Sequence, residues 1–302
     1  MMARAGRTIQ HGFTLVELIV VIVITGILGG MVAVFLRAPM QGYVDSARRA
    51  GLTDIADTAL RRIGRDLRTA VPNSVRLPTP AGSQYIEFLP TSDGGRYRAA
   101  APDPALAPPG NLCAAVAGNT GGDALSFAGD SCFEILGRPV TFSVGDQIVI
   151  NSTQSDGNPP YDNTATGILR AYRGSAGAQS IVVMDATAYP SPGFDKPLPG
   201  QRFDVVPGSQ QAVTYSCENV GMANGDGTGS LRRYWGYGFN RAQLAPPFAT
   251  GNKALLADRV SSCNIVYNAF SQSAGLVAIT LEITRAGESI RLYHEIHVNN
   301  VP

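Results

Sequence analysis

The 302-residue sequence has no excess of charge of either sign, since 24 lysines and arginines stand against 23 aspartates and glutamates. Nucleic-acid binders usually concentrate basic charge, so this balance argues against that class and no nucleic-acid partner is expected. Charged residues make up 16% of the chain, below the roughly 25% usual in soluble domains. The 34 glycines and 20 prolines instead predict many turns and a body that contains β-structure.

Motifs that carry catalysis are also lacking. The sequence has no G-x-S-x-G nucleophile elbow and no G-x-x-x-x-G-K phosphate loop. Of its three histidines, His11 lies near the start, and His294 and His297 lie in a predicted strand, where an offset of three puts them on opposite faces. The H-E-x-x-H spacing of zinc proteases is absent. We therefore expect no enzymatic activity, no catalytic residue, no metal and no cofactor.

One long apolar run is present, from Phe13 to Leu36, in which Glu17 is the only charged residue among 24. At about 1.5 Å per residue this helix would be roughly 36 Å long, enough to cross a bilayer core of about 30 Å. Arg4 and Arg7 precede the run, so the leader should stay in the cytoplasm and the remainder should lie outside the inner membrane.

Glu17 is costly in that setting, because a carboxylate at the bilayer centre costs on the order of 2.5 to 3.5 kcal/mol. Cleavage after Gly12 would place a new terminal ammonium on Phe13, four residues before Glu17, where an opposite charge could compensate the carboxylate within or between chains. The alternative is a plain anchor in which Glu17 sits at the level of the lipid headgroups.

The type IV prepilin and pseudopilin superfamily begins with Gly-Phe-Thr-Leu-x-Glu before an apolar helix, and this chain resembles it at Gly12, Phe13, Thr14, Leu15, Val16 and Glu17. The resemblance implies that prepilin peptidase removes residues 1–12 and that Phe13 is N-methylated. It also implies an inner-membrane assembly platform and a filament of other pilin or pseudopilin subunits, in which Glu17 pairs with the amine of its neighbour. Many members bend this helix at a proline, whereas the first proline here is Pro39. The weak points for bending are instead Gly26, Gly29 and Gly30.

Residues 37–71 are predicted to continue as an amphipathic stem that ends at Val71 and Pro72. Its apolar positions recur every three or four residues: Val44, Ala47, Gly51, Ile55, Ala59, Ile63 and Leu67, widened by Leu52, Leu60 and Ala70. Residues 72–302 are predicted to form a β-rich globular domain outside the inner membrane. The predicted strands cover 84–89, 131–136, 140–150, 179–184, 211–217, 231–240, 259–270, 276–284 and 289–298. A helix followed by antiparallel strands is an α+β fold.

The order of elements from about 205 to 298 resembles the J-type minor pseudopilins of type II secretion and the O-like minor pilins of mannose-sensitive haemagglutinin (MSHA) pili. The region from about 91 to 200 is read as a loop-rich insertion, longer than a J-type pseudopilin requires, which favours the MSHA type. The prolines between Pro72 and Pro109 predict little regular structure there beyond one short strand.

Four cysteines lie beyond the apolar run, where disulfides persist, and three pairings are possible. We favour Cys113 with Cys132, which bound a glycine-rich loop, and Cys217 with Cys263, in strands expected to be sheet neighbours. A four-thiolate zinc site lacks the C-x2-C spacing.

The glycine-rich segment Asn224–Gly229 could hold calcium, but a turn is favoured. The aromatic series Tyr234 to Phe239 is interpreted as ordinary strand residues.

The sequence thus predicts an MSHA-type minor pilin, made as a precursor, that assembles into or at the tip of a filament. A type II secretion pseudopilin is the alternative within the same class. An adhesin or a DNA-receptor subunit is the alternative of a different class, with its function in the 91–200 insertion. Near-neutral charge disfavours DNA.

Overall fold

A computed structural model of the chain describes residues 12, 14–78, 82–100, 112–120, 122–152, 160–162, 168–187, 199–271 and 274–301. One helix, α1, runs from Leu15 to Arg68. The strands that follow are β1 Tyr85–Phe88, β2 Asp93–Tyr97, β3 Asp130–Leu136, β4 Val140–Phe142, β5 Gln147–Ile150, β6 Leu169–Ala171, β7 Gly177–Gln179, β8 Ile181–Thr187, β9 Arg202–Val206, β10 Val213–Glu218, β11 Met222–Ala223, β12 Asp226–Gly227, β13 Gly229–Trp235, β14 Asn252–Ser271, β15 Ala274–Arg285 and β16 Glu288–Asn299. An apolar N-terminal helix followed by antiparallel β-structure is the α+β fold that the sequence predicts.

The chain divides at Gly51 into two compact units. The described part of the first unit is the N-terminal portion of α1, which remains helical through Gly26, Gly29, Gly30 and Pro39. Glycine at the first three positions is not required by packing inside this unit, because an added Cβ would meet no atom within 4 Å. The predicted weak points are therefore ordinary helical residues here.

The second unit begins at Leu52 and contains the C-terminal turns of α1. Their buried side chains face one way, as a spacing of three and four residues requires, and are Leu52, Ala56, Ala59, Leu60, Ile63 and Leu67. They share a core with Ile279 and Leu281 of β15 and their sheet neighbours. The predicted stripe was wrong at Ile55, which is 37% exposed, and its earlier members Val44, Ala47 and Gly51 are exposed as well. Ala56 lies in the core instead, because it comes four residues after Leu52 and three before Ala59.

The sheet beneath these turns has six strands in the order β1-β10-β13-β14-β15-β16, and each neighbouring pair is antiparallel. Gly64 lets α1 approach it closely, since a Cβ there would lie 3.2 Å from Nε2 of His294. His294 is half-buried beneath the helix and His297 is exposed, so the two histidines lie on opposite faces of β16.

A second six-stranded sheet, in the order β6-β5-β9-β2-β3-β8, occupies most of the region that the sequence describes as a loop-rich insertion. Its core is aromatic: the ring of Phe133 packs edge-on against Phe203 at 5.3 Å and against Tyr97 at 6.1 Å. A Cβ on Gly95 would lie 3.0 Å from the Phe203 ring, so glycine allows β2 to close over this cluster. The described residues between 91 and 200 therefore contribute to a folded layer with its own core.

Strand boundaries differ from prediction mainly in this second layer. The predicted strand 140–150 is divided into β4 and β5, because Asp146 accepts a hydrogen bond from the Ser143 amide at 2.7 Å and fixes a turn. The missed strands are all two to five residues long, and β2 begins Asp-Gly-Gly; they are β2, β6, β7, β9, β11 and β12. The segment 224–229 contains a tight hairpin turn with positive φ at Asn224 and Gly225, which is the favoured turn.

Candidate processing and assembly site

The polar N-terminal end of α1 is capped by the threonine of the predicted signature. The amide of Glu17 donates to Thr14 Oγ1 at 3.3 Å, and the amide of Leu18 donates to the Thr14 carbonyl at 3.2 Å. Thr14 is therefore the N-cap residue and Glu17 is the third residue of the helix, the positions of a capping box. An acidic side chain in the first turn also suits the helix dipole.

The N-cap role of Thr14 was not predicted from the sequence, although the Thr-x-x-Glu spacing could have revealed it. Gly12 and Glu17 are both exposed in the structure. Phe13, the expected new N-terminus, lies outside the described residues. The contact between the terminal amine of Phe13 and Glu17 therefore stays a prediction.

After Glu17 the helix presents apolar side chains in all directions. The span Leu15–Leu36 is long and apolar enough to cross a membrane, with a mean hydropathy of 2.8 and none of it buried within the chain. Its one described hydroxyl is satisfied locally, since Thr25 Oγ1 donates to the carbonyls of Val21 at 2.6 Å and Ile22 at 3.1 Å. Such a surface needs lipid or neighbouring apolar helices around it.

Inside the second unit, the end of α1 is fastened to the first sheet by a polar cluster. Asp66 Oδ2 accepts from Tyr215 Oη at 2.6 Å and from Arg233 Nε at 3.1 Å. Arg233 also donates to Gln210 Oε1 at 2.6 Å and its side chain is 8% exposed. Burial, and then the Asp66 carboxylate, raises the pKa of the Tyr215 hydroxyl, so Tyr215 is a donor at neutral pH.

Cys113 is joined to Cys132 by a disulfide, as favoured from the sequence. Two buried carboxylates organise the loop between them. Asp123 Oδ1 accepts from the Cys113 amide at 2.9 Å, and Asp130 accepts from the amides of Ser126 at 2.9 Å and Ser131 at 2.8 Å. These carboxylates therefore serve the loop backbone.

Cys217 is joined to Cys263, the other favoured pair, but their strands are not sheet neighbours as expected. Strand β13 lies between β10 and β14. It begins at Gly229, opposite Val260, so the part of β14 beyond Val260 is free to approach β10 directly. Gly229 is required at this junction, because a Cβ would lie 2.7 Å from the Val260 carbonyl oxygen and 2.9 Å from that of Glu218.

A buried ion pair between Glu87 and Arg76 also stabilises the fold. Glu87 is 1% exposed and its carboxylate accepts from Arg76 Nε at 2.8 Å and from Tyr237 Oη at 2.9 Å. Burial raises the pKa of Glu87, whereas Arg76 and Tyr237 oppose that rise. Arg76 also donates to two carbonyls, those of Asn240 at 2.7 Å and Arg241 at 2.8 Å. The cluster fixes the connection after α1 and the loop after β13.

The aromatic side chains from Tyr234 to Phe239, at the end of β13 and just beyond it, also contact other residues of the chain. Tyr237 stacks on Phe248 at 4.0 Å, Tyr234 packs edge-on against the same ring at 5.3 Å, and Trp235 lies 5.0 Å from the Arg233 guanidinium. Phe239 packs against the core of the second six-stranded sheet. Among the described residues, no group of three or more histidine, cysteine or acidic side chains is placed to hold a metal ion.

Residues 7–33 match the family described as the prokaryotic N-terminal methylation motif. The match covers the second half of the leader, Gly12, Phe13, Glu17 and most of the apolar span, and it supports a processed, prepilin-like N-terminus of the type IV superfamily. This motif implies trimming by prepilin peptidase and assembly with other pilin-like chains. No curated protein sequence and no solved structure matched the chain.

Proposed function

We propose that the chain is a non-catalytic minor pilin of the MSHA type. It is inserted with its N-terminus in the cytoplasm and its β domain in the periplasm, trimmed after Gly12 and methylated on Phe13. An assembly platform in the inner membrane then moves the apolar helix from lipid into the core or tip of a thin filament. Glu17 sets the axial register by pairing with the terminal amine of an adjacent subunit.

The observation that carries this proposal is the combination at the start of α1. A capped, acidic first turn is followed directly by an apolar span that none of the described residues bury. The methylation motif covers the same segment. A plain anchor needs the apolar span but does not need a carboxylate near its beginning. A subunit whose helix moves from lipid into a bundle of other helices can use that charge to set the axial position of its neighbour.

The test is to replace Glu17 with Val and follow the protein in the cells that make the filament. The variant should still insert and be trimmed, because the apolar span is intact, but it should be missing from sheared surface filaments. Thr14→Ser is the matched control, since serine keeps the N-cap oxygen and should assemble normally. Wild-type incorporation of Glu17→Val would remove the proposed role of Glu17.

A J-type pseudopilin of type II secretion is the alternative in the same class. Deleting the chain would then leave exported enzymes in the periplasm and surface pili unchanged. The MSHA proposal expects the reverse, namely fewer surface filaments and normal secretion. The second sheet favours the MSHA type, because it adds a layer beyond the helix and first sheet.

An adhesin is the candidate of a different class, and it also draws on the second sheet. A body with its own buried core can present a binding surface. Removing residues 93–206 should abolish attachment of the filaments and leave their assembly intact if this sheet is an adhesive module. Loss of assembly would instead indicate a structural part of the subunit.

A further inference from the structure

The two edges of the first sheet are treated differently. Strand β1 has four residues, and the preceding segment covers it at Glu87: the amides and carbonyls of Arg76 and Glu87 are joined by two hydrogen bonds of 2.9 and 3.0 Å. Strand β16 ends the sheet on the other side, and β15 is its one neighbour among the described strands.

The β16 edge is long and regular, and it lacks two of the features that usually prevent pairing with another chain, namely prolines and bulges. It is twelve residues long and contains no proline and no lysine. Its register with β15 is unbroken from Asn299 opposite Ala274 to Glu288 opposite Arg285, whereas β14 is irregular against both of its neighbours. Natural sheets blunt long edges with bulges, charges or prolines, because an open row of amides and carbonyls is a template for a new strand.

The face of β16 that looks toward α1 is only partly covered. Leu281 and Ile283 of β15 are fully buried, yet the residues directly opposite them, Leu292 and Ile290, remain partly exposed. Further along the strand Ile296 is fully buried beneath the helix. An additional strand with apolar side chains on this face would complete the core beside Leu292 and Ile290.

The opposite face supplies charge. Arg291 and Glu295 are both exposed and flank Tyr293, whose hydroxyl donates to Glu295 at 2.5 Å. Residues directly opposite one another on neighbouring antiparallel strands interact, and opposite charges there stabilise the pair. A fitting strand therefore carries an acidic residue opposite Arg291 and a basic residue opposite Glu295.

We propose that the free edge of β16 is a docking site for an extended segment of a partner protein, which adds as an antiparallel strand. The segment has alternating apolar residues facing Leu292 and Ile290, with a basic residue four positions before an acidic one. Backbone hydrogen bonds give the affinity and the two charges fix direction and register. This inference is independent of how the N-terminus is processed.

The probe is the peptide Thr-Val-Lys-Val-Thr-Val-Glu-Val-Thr, added to the full chain in detergent micelles. Amide hydrogen exchange of β16 is the measurement. In the free chain, the β16 amides that point away from β15 should exchange quickly. Saturating peptide should slow them at least tenfold and leave the covered β1 edge unchanged.

The matched control is the same peptide with lysine and glutamate exchanged. It should bind wild type about fivefold to tenfold more weakly, because two cross-strand pairs change from attraction to repulsion. The variant Arg291→Glu/Glu295→Arg should reverse this preference, and it is expected to fold because both side chains are exposed.

Three results would overturn the proposal. The first is unchanged β16 exchange at millimolar peptide, and the second is equal protection by both charge orders. The third is protection without peptide that disappears on dilution, since that would make a second copy of this chain the occupant.

Discussion

At the scale of single residues, Asp66 holds the end of α1 to the first sheet. Asp66→Ala removes the acceptor of Tyr215 and leaves the nearly buried cation of Arg233 with Gln210 and the Trp235 ring beside it. Breaking a buried pair from one side costs about 3 to 5 kcal/mol, and Asp66 is partly exposed, so we expect a loss of about 2 to 4 kcal/mol in the free energy of unfolding. Denaturant unfolding of the full chain in detergent measures it.

The same helix provides the control. Asp57 pairs with Arg61 at 2.7 Å, but both side chains are exposed. Asp57→Ala should therefore change stability by less than about 1 kcal/mol. Equal losses for the two variants would show that the Asp66 cluster does not fasten the helix.

Asp204, in β9, gives a pH-dependent prediction. It lies opposite Gly94 of β2, and burial raises its pKa from the ordinary 3.8 to about 6, while Arg202 opposes the rise. The folded chain then holds a proton that the unfolded chain releases, so the contribution of Asp204 to stability is greatest below about pH 4 and is lost as the pH rises through about 6.

Asp204→Asn should remove that part of the pH dependence and stabilise the chain at pH 8 by roughly 1 to 3 kcal/mol. Thermal unfolding of both proteins at pH 4, 6 and 8 checks the sign. A constant difference between wild type and variant at all three values would contradict the raised pKa.

At the scale of elements, the loop between Cys113 and Cys132 depends on its disulfide and on its two buried aspartates. The bond closes a segment with a sequence separation of 19 residues. Cys113→Ser/Cys132→Ser should reduce the free energy of unfolding by about 2 to 4 kcal/mol. The second sheet should melt first, because β3 carries Cys132 and belongs to that sheet.

Hydrogen exchange resolved by segment makes this measurement. The strands of the first sheet are the internal control, since their disulfide, Cys217 with Cys263, is unchanged. Loss of protection spread evenly over both sheets would argue against a local role.

The elements that sequence could predict are those with a strong period. Helix α1 and the strands β14 to β16 have long apolar repeats, and their existence and order were predicted correctly. The error at Ile55 arose because an isoleucine beside the stripe looks like a core residue, whereas the small Ala56 is the one that faces the sheet. Periodicity gives the face of a helix but not its exact rotation.

The second sheet was predicted only in part, for a physical reason: β3, β5 and β8 lie in segments predicted as strands, whereas β2, β6 and β9 were missed. Its strands are three to seven residues long. Strand β2 is positioned by the close contact of Gly95 with the Phe203 ring, and its own sequence has no alternation of apolar and polar residues that would predict a strand. The candidate processing site was the opposite case. A cleavage signature, a single acid and an apolar span are local features that sequence displays directly, and only the N-cap role of Thr14 was overlooked.

At the scale of the whole molecule, the two units differ in what they bury. The span Leu15–Leu36 is exposed among the described residues, whereas the described residues from Leu52 onward form two six-stranded sheets with two disulfides and two cores. We therefore propose that the first unit serves assembly and that the second presents a surface.

Intact-mass and N-terminal peptide mass spectrometry of the chain from its own membranes shows whether it is processed as a prepilin. We expect a mature chain that begins at Phe13 and carries one N-methyl group, and we expect Gly12→Val to accumulate only the longer precursor. A wild-type chain that keeps residues 1–12, or that begins at any residue other than Phe13, would show that this processing does not occur.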